Sequence, residues 1–156
     1  MQIKTELKRE IEEPTWWIIS PPKDFSEFLR TLPLLVPNDS ILCLEGVIDS
    51  DIEAFLEQRP AKYENEINQG FLKLHSKIYY MPVTEVNLEQ FAELSERYAE
   101  PEIYDALRVY KQDKVILSWY DLPFDSFEVA NEIDETVLSK FCEILGCTYI
   151  KQVETA

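Results

Sequence analysis

The chain has 156 residues, and its 30 acidic side chains outnumber its 15 basic ones, which gives a formal net charge of −15. This charge works against binding nucleic acid or an anionic membrane surface, because both require clusters of lysine and arginine. Hydrophobic residues make up 46% of the chain, which argues against disorder and is enough for the core of one domain. With no run of 18 apolar residues and no signal peptide, we expect a cytoplasmic protein without a transmembrane helix.

Apolar periodicity and turn residues predict alternating strands and helices. Residues 1–13 are predicted to be a charged N-terminal arm, and residues 14–153 a single globular domain. Prolines and a glycine end several elements, and capping residues precede three of the helices. In chain order, the predicted elements are a strand at 15–20, a helix at 21–32, a strand at 40–46, a helix at 50–59, a strand at 71–84, a helix at 87–99, a hairpin within 105–121, a helix at 134–145 and a strand at 147–153.

This order combines strand-helix-strand segments with one hairpin. We therefore predict an α/β or α+β fold, a single-domain sandwich in which about four helices pack on a mixed sheet. Segments 40–59 and 114–146 share a plan of strand, acidic turn and capped helix, which suggests two similar structural units.

Reactive side chains other than carboxylates are scarce. His75 is the single histidine and lies in a strand-like alternating pattern, which favours a structural or surface role. The three cysteines, Cys43, Cys142 and Cys147, lack the paired spacing of zinc sites, so we predict free and buried thiols. With 3 glycines in the chain, phosphate-binding loops are absent, and we expect no cofactor.

Carboxylates gather in two segments that lack any base, residues 31–58 and 115–139, with six acids in each. Both segments include the carboxyl end of a predicted strand. If these strands are parallel in one sheet, their acids meet at the edge where α/β folds bind ligands. They would then hold Mg²⁺ or act as an acid/base pair. The acids concerned are Glu45, Asp49, Asp121 and Asp125. The alternative interpretation is that acids before helices cap backbone amides.

The helix predicted at 87–99 carries an acidic ridge of four glutamates. They recur at i, i+4, i+7 and i+11, so at about 100° per residue they lie within an arc of roughly 60°. The ridge consists of Glu89, Glu93, Glu96 and Glu100. Apolar residues occupy the opposite side of the helix. The ridge is either a solvated surface that maintains solubility or a contact surface for a basic partner.

Adjacent aromatic residues occur in three of the predicted strands, and Trp119 and Tyr120 are one such pair. Because side chains alternate between the faces of a strand, one member of the pair is exposed if only one face of the sheet is covered. An exposed aromatic residue beside Asp121 and Asp125 would favour an interface. If helices cover both faces, both aromatic residues belong to the core.

These patterns favour a non-enzymatic, protein-binding module for a basic partner, a profile shared by inhibitors (immunity proteins) of secreted nuclease toxins. The charge predicts electrostatic steering of that partner. The alternative function is a metal-dependent enzyme that uses the strand-end carboxylates. No membrane or nucleic-acid partner is expected, and the oligomeric state stays open. The predicted contact residues are Glu89, Glu93, Glu96, Glu100, Trp119, Tyr120, Asp121 and Asp125.

Overall fold

The computed structural model describes residues 16–47, 49–61, 78–97, 105–120, 122 and 125–152. The arm predicted for residues 1–13 and the segment around His75 lie outside these ranges. The strands are β1 (Trp16–Ile19), β2 (Ile41–Glu45), β3 (Ile78–Pro82), β4 (Ala106–Lys111), β5 (Lys114–Tyr120), β6 (Phe127–Ala130) and β7 (Tyr149–Gln152). The α-helices are α1 (Phe25–Thr31), α2 (Ser50–Glu57), α3 (Glu85–Ser95) and α4 (Glu135–Leu145), and a short 3-10 helix spans Leu32–Leu34.

Side-chain caps fix where each α-helix begins. Asp24, Asp49, Thr84 and Asp134 each accept a hydrogen bond from a backbone amide in the first turn of the helix that follows. At its other end, α4 stops at Gly146, whose φ of 70° is a left-handed conformation that glycine adopts readily.

The seven strands form one sheet in the order β3-β2-β4-β5-β6-β1-β7. The predicted α+β class is confirmed, with four α-helices and the β4–β5 hairpin in the described chain. Every pair of neighbouring strands is antiparallel, however, so the sheet is not mixed as predicted.

The physical reason is that each of two helical crossovers joins a pair of strands that have a third strand between them in the sheet. Helix α3 connects β3 to β4, which run in the same direction with β2 between them. Helix α4 likewise connects β6 to β7 on either side of β1. Parallel strands are therefore present but are never neighbours, which the order of elements along the chain does not reveal.

All four α-helices of the described chain pack on one face of the sheet. Their apolar side chains share one core cluster with alternate strand residues, among them Ile19, Leu44, Val109 and Trp119. The opposite face carries a separate, smaller cluster around Cys43, Tyr80 and Tyr110. This two-layer arrangement decides which strand residues belong to the core.

Strand β6 occupies part of what the sequence predicts as a polar loop. Its first three residues alternate, with Phe127 and Val129 buried and Glu128 exposed between them, and Ala130 is buried as well. An alternation over three residues is a weak strand signal. Pairing with β5 and β1 places β6 inside the sheet.

Candidate binding surface

Helix α3 presents most of the predicted acidic ridge. It begins at Glu85, earlier than predicted, because Thr84 caps it by accepting a hydrogen bond from the Asn87 amide at 3.0 Å. Asn87 was predicted to be near the start of the helix, and its side chain instead donates to the Pro82 carbonyl at 3.0 Å. Leu88, Phe91 and Ala92 are buried in the core. The exposed carboxylates are Glu85, Glu89 and Glu93 on α3 and Glu96 at its C-cap, whereas Glu100 lies outside the described residues.

Arg30 of α1 holds two of these carboxylates. Its Nε donates to both oxygens of Glu89, at 3.2 and 3.1 Å, and its Nη1 donates to Glu96 at 2.7 Å. Glu27 is 3.9 Å from the same Nη1. The hydrogen bonds to Glu96 and Glu89 raise the pKa of the Arg30 guanidinium. A single base thus holds the centre of the surface together.

This pairing reduces the charge of the surface but does not neutralise it. Of the five exposed carboxylates on this surface, Arg30 contacts Glu27, Glu89 and Glu96, whereas Glu85 and Glu93 form no ion pair with a described residue. Sequence reasoning missed Arg30 because it is 59 residues from Glu89. Helical periodicity detects partners three or four residues away and carries no signal for partners on another element.

Trp119 belongs to the core, so the contact role predicted for it does not fit its position. Its side chain is 0% exposed, and its ring centroid lies 5.0 Å from those of Phe28 and Phe127. The indole Nε1 donates to the backbone carbonyl of Asp125 at 2.8 Å. This bond ties the backbone at Asp125, between β5 and β6, to the core.

Tyr120 is 55% exposed, as expected for the residue next to a buried tryptophan in a strand. It lies on the sheet face opposite the helices, whereas the glutamates of the ridge lie in the helical layer. The structure therefore does not bring Tyr120 and the ridge into one surface. Asp125 is exposed, and Asp121 lies outside the described residues.

The carboxyl ends of β2 and β5 lie at the same end of the sheet, on either side of β4. Both strands pair antiparallel with β4, and Glu45 and Tyr120 both lie opposite Ala106. Between them, the Arg108 side chain donates from Nη2 to Glu45 at 3.1 Å and from Nη1 to the Tyr120 hydroxyl at 3.4 Å. The strand-end carboxylate that sequence reasoning offered as a metal ligand is thus held in an ion pair.

Arg108 is the centre of a polar network on this second face. Its side chain is 12% exposed, and it also donates from Nε to the Tyr110 hydroxyl at 3.0 Å and contacts the Cys43 sulfur at 3.8 Å. Burial alone would lower the pKa of the guanidinium, but the neighbouring thiol, phenol and carboxylate raise it overall. Sequence reasoning did not find this network, because its members come from three strands.

The remaining strand-end acids have structural roles or lie apart. Asp49 accepts hydrogen bonds from the amides of Asp51 and Ile52, at 2.9 and 3.1 Å, and so caps α2. In the described part of the chain, no group of three or more His, Cys, Asp or Glu side chains is arranged to hold a metal ion. The cap of α2 is thus Asp49 rather than Ser50, the residue that the sequence pattern indicated, whereas the cap predicted at Asp134 is confirmed.

All three cysteines are free thiols, as predicted. Cys43 and Cys142 are buried, whereas Cys147 is partly exposed. Burial, with a smaller effect of Cys147, raises the pKa of Cys142 to about 11. Burial also raises the pKa of Cys147. Both groups are therefore uncharged thiols at neutral pH and poor nucleophiles.

Comparison with protein families, curated proteins and solved structures found no match to this chain. Among the helices that the structure describes, none is long and apolar enough to cross a membrane.

Proposed function

We propose that this protein is a non-enzymatic module that binds a basic protein partner, in the manner of an inhibitor. The observation that carries the proposal is a surface of five exposed carboxylates, three of which contact Arg30, in a chain with a net charge of −15. Like charges spaced four residues apart destabilise a helix, so this arrangement is unfavourable for the isolated protein. A cationic partner would relieve that repulsion.

The support is both electrostatic and mechanical. The negative charge of the whole molecule would accelerate encounter with a basic partner, and the helix surface would then contact its cationic site. Helix α3 is anchored by Leu88, Phe91 and Ala92 in the core, so its carboxylates are held by a rigid element. Preorganised groups bind with a smaller loss of conformational freedom than groups on a loop.

The test compares two triple variants with the same change of net charge. The first replaces Glu89, Glu93 and Glu96 with glutamine. The control replaces three exposed acids from elsewhere in the described chain, Asp113 with asparagine and Glu128 and Glu143 with glutamine. Each protein is immobilised and used to recover binding proteins from lysate of the native host.

We expect the wild type and the control variant to recover the same basic protein and the α3 variant to recover at least tenfold less. Exposed charge pairs contribute about 0.2–1 kcal/mol each, so three of them together account for a change of this size. Equal recovery by the two triple variants would contradict the proposal, because net charge rather than the α3 surface would then explain binding.

A further inference from the structure

An open groove of about 830 Å³ runs between the 3-10 helix and the first half of α3. Pro33, Leu34, Val86 and Leu88 supply its apolar lining. The side chains of Leu34 and Val86 are 43% and 64% exposed, and they are two of the five large hydrophobic side chains exposed in the described chain. Their concentration in one groove marks this surface as distinct from a solvated helix face.

Carboxylates line the same groove. Glu85, Glu89 and Glu93 follow one another at intervals of four residues, which places them about 6 Å apart along the helix axis. Arg30 holds Glu89, whereas Glu85 and Glu93 form no ion pair with another described residue. The groove therefore combines an apolar lining with two carboxylates, Glu85 and Glu93, that have no cationic partner among the described residues.

We propose that this groove docks a basic amphipathic helix of the partner protein, an inference that rests on the proposed function. One aliphatic side chain of that helix fits between Leu34 and Val86, and lysines or arginines spaced eight residues apart, about 12 Å along the helix axis, face Glu85 and Glu93. The spacing of those bases on a helix matches the spacing of the carboxylates on α3.

Charge complementarity selects this occupant over an apolar one. A purely hydrophobic segment would cover Glu85 and Glu93 without pairing them, which is unfavourable for buried charges. The contact of Arg30 with Glu89 and Glu96 shows, within the protein itself, that α3 carboxylates accept a guanidinium with good geometry. Partner bases would make the same kind of contact with Glu85 and Glu93.

The experiment uses two helical peptides as probes. Both carry two lysines eight residues apart on one face, and they differ only in the residue midway between the lysines, leucine in one and serine in the other. Their dissociation constants are measured by fluorescence anisotropy at low ionic strength. The proteins compared are the wild type, Val86→Ser and the control Ile144→Ser, whose side chain is 51% exposed on α4, outside the groove.

We expect the wild type and Ile144→Ser to bind the leucine peptide about tenfold more tightly than the serine peptide, since the leucine side chain is partly buried. Val86→Ser should lose most of this preference but keep its affinity for the serine peptide. Equal affinity of the wild type for both peptides, or an unchanged preference in Val86→Ser, would overturn docking in the groove while leaving charge-driven binding intact. If the wild type binds neither peptide, the proposed function fails as well.

Discussion

Cys142 shows how one buried group couples stability to pH. Its side chain is 2% exposed in α4, and burial raises its pKa to about 11, compared with about 8.5 for an ordinary thiol. At a pH between these two pKa values, the thiol has lost its proton in the unfolded chain but retains it in the folded chain. The contribution of this thiol to stability is therefore complete below about pH 8.5 and decreases as the pH rises towards 11.

We predict that the free energy of unfolding of the wild type falls by about 2 kcal/mol more than that of Cys142→Ala between pH 7 and pH 11. Denaturant titrations at a series of pH values measure this difference. Cys142→Ala also leaves a small cavity, which lowers the stability of the variant by the same amount at every pH. The difference in pH dependence between the two proteins therefore tests the prediction. Parallel curves for the two proteins would show that Cys142 does not titrate differently in the folded chain.

Arg108 links three strands and so stabilises the pairing of whole elements. From β4 it donates hydrogen bonds to Glu45 of β2 and Tyr120 of β5, on the face without helices. We predict that Arg108→Met lowers the free energy of unfolding by about 2–3 kcal/mol, because the substitution removes a largely buried guanidinium together with its hydrogen bonds to Glu45 and Tyr120. Equilibrium unfolding in urea measures the change.

Arg30→Met is the matched control for this prediction. Arg30 also contacts carboxylates, but Glu89 and Glu96 are each about half exposed, so water replaces the lost partner. Its loss should lower the free energy of unfolding by less than about 1 kcal/mol.

A double-mutant cycle between Arg108→Met and Glu45→Gln should show coupling. Additive effects would mean that the ion pair contributes nothing to holding β2 against β4.

Local signals predicted most elements but not all their limits. Helix α3 begins at Glu85 rather than near Asn87 because two residues there resemble caps. Thr84 caps the helix, whereas the Asn87 side chain donates to the Pro82 carbonyl. Strand β6 was missed because four residues are too few to stand out from a polar loop. Its strand conformation is stabilised by neighbours that are distant in the sequence.

Net charge affects the whole molecule. With 30 acids and 15 bases, the folded chain repels itself, and salt weakens that repulsion by shortening the Debye length from about 30 Å at 0.01 M to about 8 Å at 0.15 M. We therefore predict that the melting temperature rises over this range, by about 2–4 °C for each kcal/mol of repulsion removed. Differential scanning calorimetry at pH 7 in sodium chloride measures the effect.

The variant with glutamine at Glu89, Glu93 and Glu96 serves as the comparison. It carries three fewer negative charges, so its melting temperature should rise less with salt than that of the wild type. A decrease in the wild-type melting temperature with added salt would mean that favourable ion pairs, such as those of Arg30, outweigh the repulsion.

The candidate binding surface was only partly predictable from the sequence. Charge count and helical spacing identified Glu89, Glu93 and Glu96, because an exposed helix face repeats regularly in sequence. Arg30 and the exposed Leu34 and Val86 were not found, since their importance depends on the packing of α1 and the 3-10 helix beside α3.

The sequence by itself determined the net charge, the alternation of strands and helices, and the amphipathic character of α3, because these depend on composition and on contacts within a few residues. Tertiary structure alone decided that β2 and β1 lie between strands joined by helices, that Trp119 is core and Tyr120 surface, and that Arg108 binds Glu45. Each of these depends on which distant segments become neighbours, and that choice is made by the burial of the whole core rather than by any local pattern.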